Sequence, residues 1–406
     1  MITYHSALDI LRQEASKVRL APETIDLSAI HGRICADDVV SPISIPPFDN
    51  SAMDGFAVRI ADFKEGSAKL QVRARMIAGD AIGTIEVSSG TCCEIMTGAA
   101  VPKGADSIVP VELTSRLGEL ISFGANPQKN EFIRHAGSDF MRGTPVIAQG
   151  TLLGTRHILP LAALGIGKVN VYSKPRVAFI PTGSEVVDDL DQALGDGQIY
   201  NSSHPYAQNF LTQSGAEFLP QSTIADDTQA FKTAVGRLMG ENISLIISSG
   251  AVSAGSHDFI RSSLEEMGAT IVFHKVAIRP GKPVLFALLP SGTLYLGLPG
   301  NPVSTAAGLR FFVHPLLAAM MKLEPEKPSF ARVRTRLVQK PPLRLFLKAK
   351  IGVSLEGITE VDFLDGQESY KTSPFLAMNG WAVVPEDWTT VNENDIVEIF
   401  PLERLF

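Results

Sequence analysis

From Pro175 onward, short apolar segments alternate with amphipathic ones, and this alternation constrains the chain more than any other feature. Strands are predicted at 176–180, 216–224, 245–247 and 293–298, and helices at 205–213, 228–239, 259–267 and 305–321. Strands that alternate with helices build βαβ units around a mostly parallel sheet. Right-handed crossovers then place every loop that follows a strand at one carboxyl edge. Four such loops are small and polar: 182–185, 226–227, 248–258 and 299–304. Open α/β sheets bind their ligands at that edge. The expected fold is multidomain α/β, with a central doubly wound domain carrying a crevice lined by these loops.

The stretch 243–258 shows why the crevice suits an anion. The buried run 245–247 opens into Ser, Gly and Ala residues, Ser249 and Gly250 among them, and the loop closes on Asp258 before a helix. Small side chains let a ligand reach backbone N–H groups, and a helix N-terminus favours negative charge. Asp258 can hold a cation beside it. Glu185, Asp226 and Asp227 add carboxylates from neighbouring loops. At 274–283, Lys275, Arg279 and Lys282 form a basic cluster held by two prolines and a glycine. Arginine and lysine are natural ligands for oxyanions.

The remaining segments group around this core. Residues 1–45 and 140–174 form a mixed N-terminal domain, with helices at 6–17, capped by Ser6, and at 155–164. Residues 46–139 form an inserted β-rich domain with strands at 56–58, 70–77, 91–96 and 107–112. It opens with a proline-stiffened loop displaying Asp49, Asn50, Ser51 and Asp54, and it presents Thr97 at a strand tip. The central domain covers 175–323. A charged, proline-containing linker at 324–329 begins a C-terminal β domain, 324–406.

Acids without histidine or cysteine partners suit magnesium. The net charge of −7 argues against a general nucleic-acid binder. No P-loop and no G-x-S-x-G nucleophile motif occurs in the sequence. Cys35, Cys92 and Cys93 lack C-x-x-C spacing, which fits a reducing compartment rather than a zinc site. No signal-peptide pattern opens the sequence, and the apolar segment 311–321 is too short for a bilayer. A cytoplasmic protein is expected, without membrane or nucleic-acid partners. The residues themselves lead to a magnesium-dependent enzyme or binder for a phosphorylated or nucleotide-bearing ligand.

Seven motifs carry a family resemblance: PFDNSAMDGFAVR at 47–59, IMTGA at 95–99, PTGSE at 181–185, GDGQIYNS at 195–202, SSG at 248–250, RPGKP at 279–283 and LPGNPVS at 298–304. In this order they resemble the MoeA family of molybdopterin molybdenumtransferases, to which the gephyrin E domain and its plant counterpart are related. The resemblance implies insertion of molybdate into adenylated molybdopterin with release of AMP, assisted by Mg2+. It implies a homodimer whose sites lie between the central domain of one protomer and the inserted β domain of the other. Asp54 and Thr97 would come from that second side. Glu185, Asp226 or Asp227, and Asp258 would serve the metal and the pterin phosphate. Lys275, Arg279, Lys282, Asn301 and Ser304 would lie near molybdate or the phosphates, with Pro299 and Pro302 shaping the pocket. Contacts with molybdoenzymes or other cofactor-pathway proteins would follow.

The chain departs from the family pattern in places. Ala251 stands where glycine is usual, and Ser256 where an acid is usual. The family's R-x-E-F-x-R becomes LRLFLK at 343–348, so Lys348 replaces an arginine, and Glu368 replaces a small residue. Lysine cannot reproduce a bidentate arginine contact. The alternative reading is a non-catalytic or altered-specificity relative that binds pterin or a partner as a scaffold.

Overall fold

The computed structural model describes residues 1–124, 126–251, 259–338 and 342–402. The chain forms two compact units, one of Met1–Glu23, Gly32–Ile34 and the chain from Tyr172 onward, the other of Thr24–His31 and Cys35–Val171.

The first unit is built on a six-stranded sheet. Its strands are β1 (Arg176–Pro181), β2 (Glu217–Pro220), β3 (Leu245–Ser249), β4 (Thr270–His274), β5 (Leu285–Leu288) and β6 (Leu294–Leu298). Their order is β2-β1-β3-β6-β5-β4. β2, β1, β3 and β6 run parallel, whereas β5 and β4 close the sheet as an antiparallel pair. From β1 the chain moves to β2 on one side and then to β3 on the other. This reversal creates a crevice at the carboxyl ends of β1 and β3. β3 is buried along its full length, as expected of a central strand covered on both faces. One face packs Ala178, Ile180 and Ile246 against Phe231, Val235 and Leu264 of two helices, Thr228–Met239 and Phe259–Glu266.

The N-terminal helix begins at Tyr4, two residues before the expected Ser6, because Thr3 takes the cap and accepts the Ser6 N–H at 3.2 Å. The long apolar helix also begins early, at Pro302, and runs to Met320 with a π-turn at Leu309–Val313. Pro315 has no N–H for the carbonyl of Phe311, and the Tyr4 hydroxyl donates to that carbonyl at 3.2 Å. The helix's 19 residues are long and apolar enough for a bilayer, unlike the segment 311–321 alone, but 78% of its most apolar window is buried in the protein. It is a core helix.

The C-terminal strands are β7 (Ser329–Val333), β8 (Arg344–Val353), β9 (Thr359–Phe363), β10 (Gly380–Val384) and β11 (Ile396–Pro401). β8 pairs with both β9 and β10, β9 with β7, β7 with β11, and β11 with β10, so these strands close into a barrel. Ala331, Val361 and Ala382 fill its interior. A two-residue arm, Ile278–Arg279, pairs in parallel with the start of β8.

The second unit carries a separate six-stranded sheet. Its order is Ser107–Pro110, Gly55–Val58, Thr91–Ile95, Ala68–Met76, Leu120–Phe123, Thr114–Leu117. The alternation of residues sends Phe56, Leu70 and Cys92 to one face and Ala57, Cys93 and Ile95 to the other, each against its own apolar cluster.

Candidate active site

The carboxyl ends of β1, β3 and β6 press together through glycines. Thr182 N–H donates to the Ser249 carbonyl at 2.8 Å, and Gly250 N–H to the Leu298 carbonyl at 3.0 Å. Gly250 has φ +104°, and a Cβ there would lie 2.5 Å from Thr182 Oγ1 and 2.7 Å from its carbonyl oxygen. A Cβ on Gly300 would meet the Gly250 Cα at 3.2 Å. The small residues therefore bring three loops into main-chain contact. The Thr305 hydroxyl closes the third loop by donating to the Pro299 carbonyl at 2.8 Å.

This junction floors a cleft of about 1240 Å³. Glu185, Asp226, Ser249, Gly250, Arg279 and Lys282 line it together with Pro299, Asn301, Pro302 and Ser304. Asp226 reaches it because the segment before it zips onto the end of β1: Ile224 N–H donates to the Pro181 carbonyl at 2.9 Å, and Gly183 N–H to the Ile224 carbonyl at 3.1 Å. Arg279 is delivered by its pairing with Leu345 of the barrel and precedes Pro280 through a cis bond. Gly281 takes φ +91°, a left-handed conformation that favours glycine, where the arm turns beside Ser304. Glu185, Asp226, Arg279 and Lys282 are exposed at the cleft, whereas Ser249 and Ser304 are buried.

The other candidates fall elsewhere. Asp227 is the N-cap of the helix Thr228–Met239, and its carboxylate accepts the Ala230 N–H at 2.7 Å. It is absent from the cleft lining. Lys275 is also absent from the lining; it sits at φ +75°, with its N–H donating to Val284 and its carbonyl accepting from Ile2. Asp54 and Thr97 belong to the second unit and pair there. The Thr97 N–H and hydroxyl each donate to one Asp54 oxygen at 2.7 Å, which holds that carboxyl below its usual pKa. Asp258 and Ser256 lie outside the described residues.

Sequence reading did not single out several residues that line or support the cleft. Tyr200 and Asn201 line it from the GDGQIYNS motif. Asn201 is 4% exposed and donates to Asp188 at 2.8 Å. Asp188 also accepts the Thr223 N–H and hydroxyl. Partial desolvation raises the Asp188 pKa, but these hydrogen bonds outweigh it and hold the carboxyl below its usual range. From the barrel, Gln367, Glu368, Ser369, Tyr370 and Thr372 form the facing wall. Glu368 stood out in the sequence as a departure from the family pattern, but no spacing links this group to β1 or β3.

An acid pair, two exposed cations and accessible backbone in one cleft can bind a polyanion that carries a hard metal ion. Residues 2–165 match the MoeA N-terminal region (domain I and II), and residues 178–319 match a probable molybdopterin-binding domain. A molybdopterin molybdenumtransferase from Synechococcus elongatus is 35% identical over 390 residues, covering 95% of this chain and 96% of that protein. The enzyme of the same name from Haemophilus influenzae is 34% identical, covering 94% of each. A crystal structure of the molybdopterin biosynthesis MoeA protein from Pyrococcus horikoshii superposes with a TM-score of 0.85 at 27% identity, over 100% of both chains. Motif order, fold and full-length similarity together place this chain in the MoeA family of molybdopterin molybdenumtransferases.

Proposed function

We propose that this chain inserts molybdate into adenylated molybdopterin, with release of AMP, as a Mg2+-dependent transferase of molybdenum cofactor biosynthesis. The observation that carries the reading is the meeting of Glu185 and Asp226 with Arg279 and Lys282 in one cleft of the α/β edge. Molybdate is a dianion, and the pterin substrate brings phosphates. Arg279 and Lys282 supply fixed positive charge for them, and the Gly250 and Gly300 loops leave backbone open to the ligand.

The residues fit magnesium. The cleft lining contains carboxylate oxygens and no histidine or cysteine among the described residues. No cage of three or more metal-ligating side chains forms among them. Magnesium favours this arrangement, because it keeps waters and binds through one or two carboxylates plus substrate phosphates. Glu185 and Asp226 would hold it, joined by Asp258 on the family pattern. When bound, it neutralises and orients the phosphoanhydride. The chain's own part is to fix the oxyanions against Arg279 and Lys282 and, through Glu185 and Asp226, to hold the ion that would bind the pterin phosphate.

The reading extends to a cytoplasmic homodimer in which Asp54 and Thr97 of one protomer serve the site of the other, and to delivery of the product to molybdoenzymes or cofactor-pathway proteins. The test is AMP release from adenylated molybdopterin with magnesium, with and without molybdate. Molybdate-dependent release, abolished in Asp258→Ala, is expected. Release that ignores molybdate would mean a hydrolase. Tight pterin binding without release, in a folded dimer, would mean a scaffold.

A further inference from the structure

We infer that Lys348 is a positioning residue, a buried clamp that holds the 366–372 wall of the cleft through its main chain. Lys348 lies on β8 and is 0% exposed. Its ammonium donates to the carbonyls of Gly366 at 2.5 Å, Lys371 at 3.0 Å and Glu368 at 3.3 Å. Three N–H donors thus meet three converging acceptors. A buried charge is tolerated only when its hydrogen bonds are satisfied, so the loop and the lysine stabilise each other. Gln367 locks the same segment from within: its side chain accepts the Lys348 N–H at 3.0 Å and donates to the Lys348 carbonyl at 2.9 Å.

The clamp reaches the α/β side of the cleft. The Ser369 carbonyl accepts the Val303 N–H at 3.1 Å, one residue before Ser304. Loosening the segment therefore moves the facing wall and frees the backbone beside Ser304. The Lys371–Glu368 pair, at 2.8 Å, is exposed and adds little rigidity of its own. Because Lys348 is committed to carbonyls, oxyanion charge along the described cleft rests on Arg279 and Lys282. The lysine that replaces the family arginine has become scaffolding for the wall.

This inference rests on the transferase reading only in taking the 366–372 segment as a wall for substrate. Lys348→Met keeps the unbranched stem as far as Cε and removes the ammonium with its donors; Lys348→Arg keeps charge but spreads its donors across a plane. In the full-length, substrate-free protein, amide hydrogen exchange at 366–372 and at Val303 should quicken about tenfold or more in Lys348→Met, with the barrel strands unchanged. Lys348→Arg should fall between it and wild type. In the AMP-release assay, kcat/KM should drop about 10²-fold, chiefly through KM. A purely structural role would lower the active fraction and leave KM untouched. Wild-type exchange in the loop of a folded Lys348→Met or Lys348→Arg protein, or a loss confined to kcat, overturns the clamp. If wild type itself releases no AMP in response to molybdate, the transferase reading fails, and exchange still decides the clamp.

Discussion

The two walls of the cleft are built by different means. The α/β wall is a main-chain construction: Thr182, Gly250 and Gly300 touch backbone to backbone, and a side chain at either glycine would push the strands' loops apart. The barrel wall is a side-chain construction, in which Lys348 and Gln367 hold a segment that has no sheet partner of its own. A main-chain wall tolerates little variation in its small residues. A side-chain wall can be re-engineered by a single substitution, and Lys348 lies in the wall of that kind.

The largest expected effect breaks the main-chain wall. Gly250→Ala places a Cβ 2.5 Å from Thr182 Oγ1 at a residue with φ +104°. Strain and overpacking together should cost about 2 kcal/mol or more, and displacement of the loop should cost about 10²-fold in kcat/KM. Urea denaturation and the AMP-release assay check the two parts. A stable and fully active Gly250→Ala protein would remove the distinction between the walls.

Next comes the chemistry held by that wall. Glu185→Gln and Asp226→Asn each remove one negative charge from the cleft lining while keeping the shape. Each should lower activity on the order of 10²-fold and raise the magnesium concentration needed for half-maximal rate. Loss of activity with an unchanged magnesium dependence would assign these acids to the pterin rather than to the metal.

The difference between the walls also explains what the sequence made legible. PTGSE, SSG and LPGNPVS are conspicuous because a main-chain junction needs glycine and proline at set places, and those residues are rare elsewhere in strands. The alternation of strands and helices then brought the loops to one edge. The barrel wall has no such mark. Lys348 sits in an apolar strand, and its partners are carbonyls, which any residue supplies. Only coordinates connect it to Gly366 and Lys371. Adjacent acids were equally opaque, since Asp226 and Asp227 differ only by which one a helix start happens to need.

That last ambiguity gives a smaller effect. Asp227 caps the helix Thr228–Met239 by accepting the Ala230 N–H. Asp227→Ala should cost about 1 kcal/mol in stability, with activity falling far less than in Asp226→Asn. Equal losses of activity in the two variants would put both carboxylates on the ligand.

The smallest effect tests a place where the main-chain wall borrows a side chain. Asp188 accepts hydrogen bonds from Asn201 and Thr223 and so ties the GDGQIYNS loop to the segment after β2. Partial desolvation opposes its charge, yet the hydrogen bonds hold its pKa below the usual range in the folded protein. A carboxyl whose folded pKa is depressed contributes stability above its unfolded value of about 3.9 and loses it as pH falls through the folded value. Wild type should therefore lose part of its urea resistance below about pH 4 through this group. Asp188→Asn cannot titrate, so its stability should be lower near neutrality and its acid limb shallower. Parallel acid limbs in the two proteins would show that the tie between these loops does not depend on the Asp188 charge.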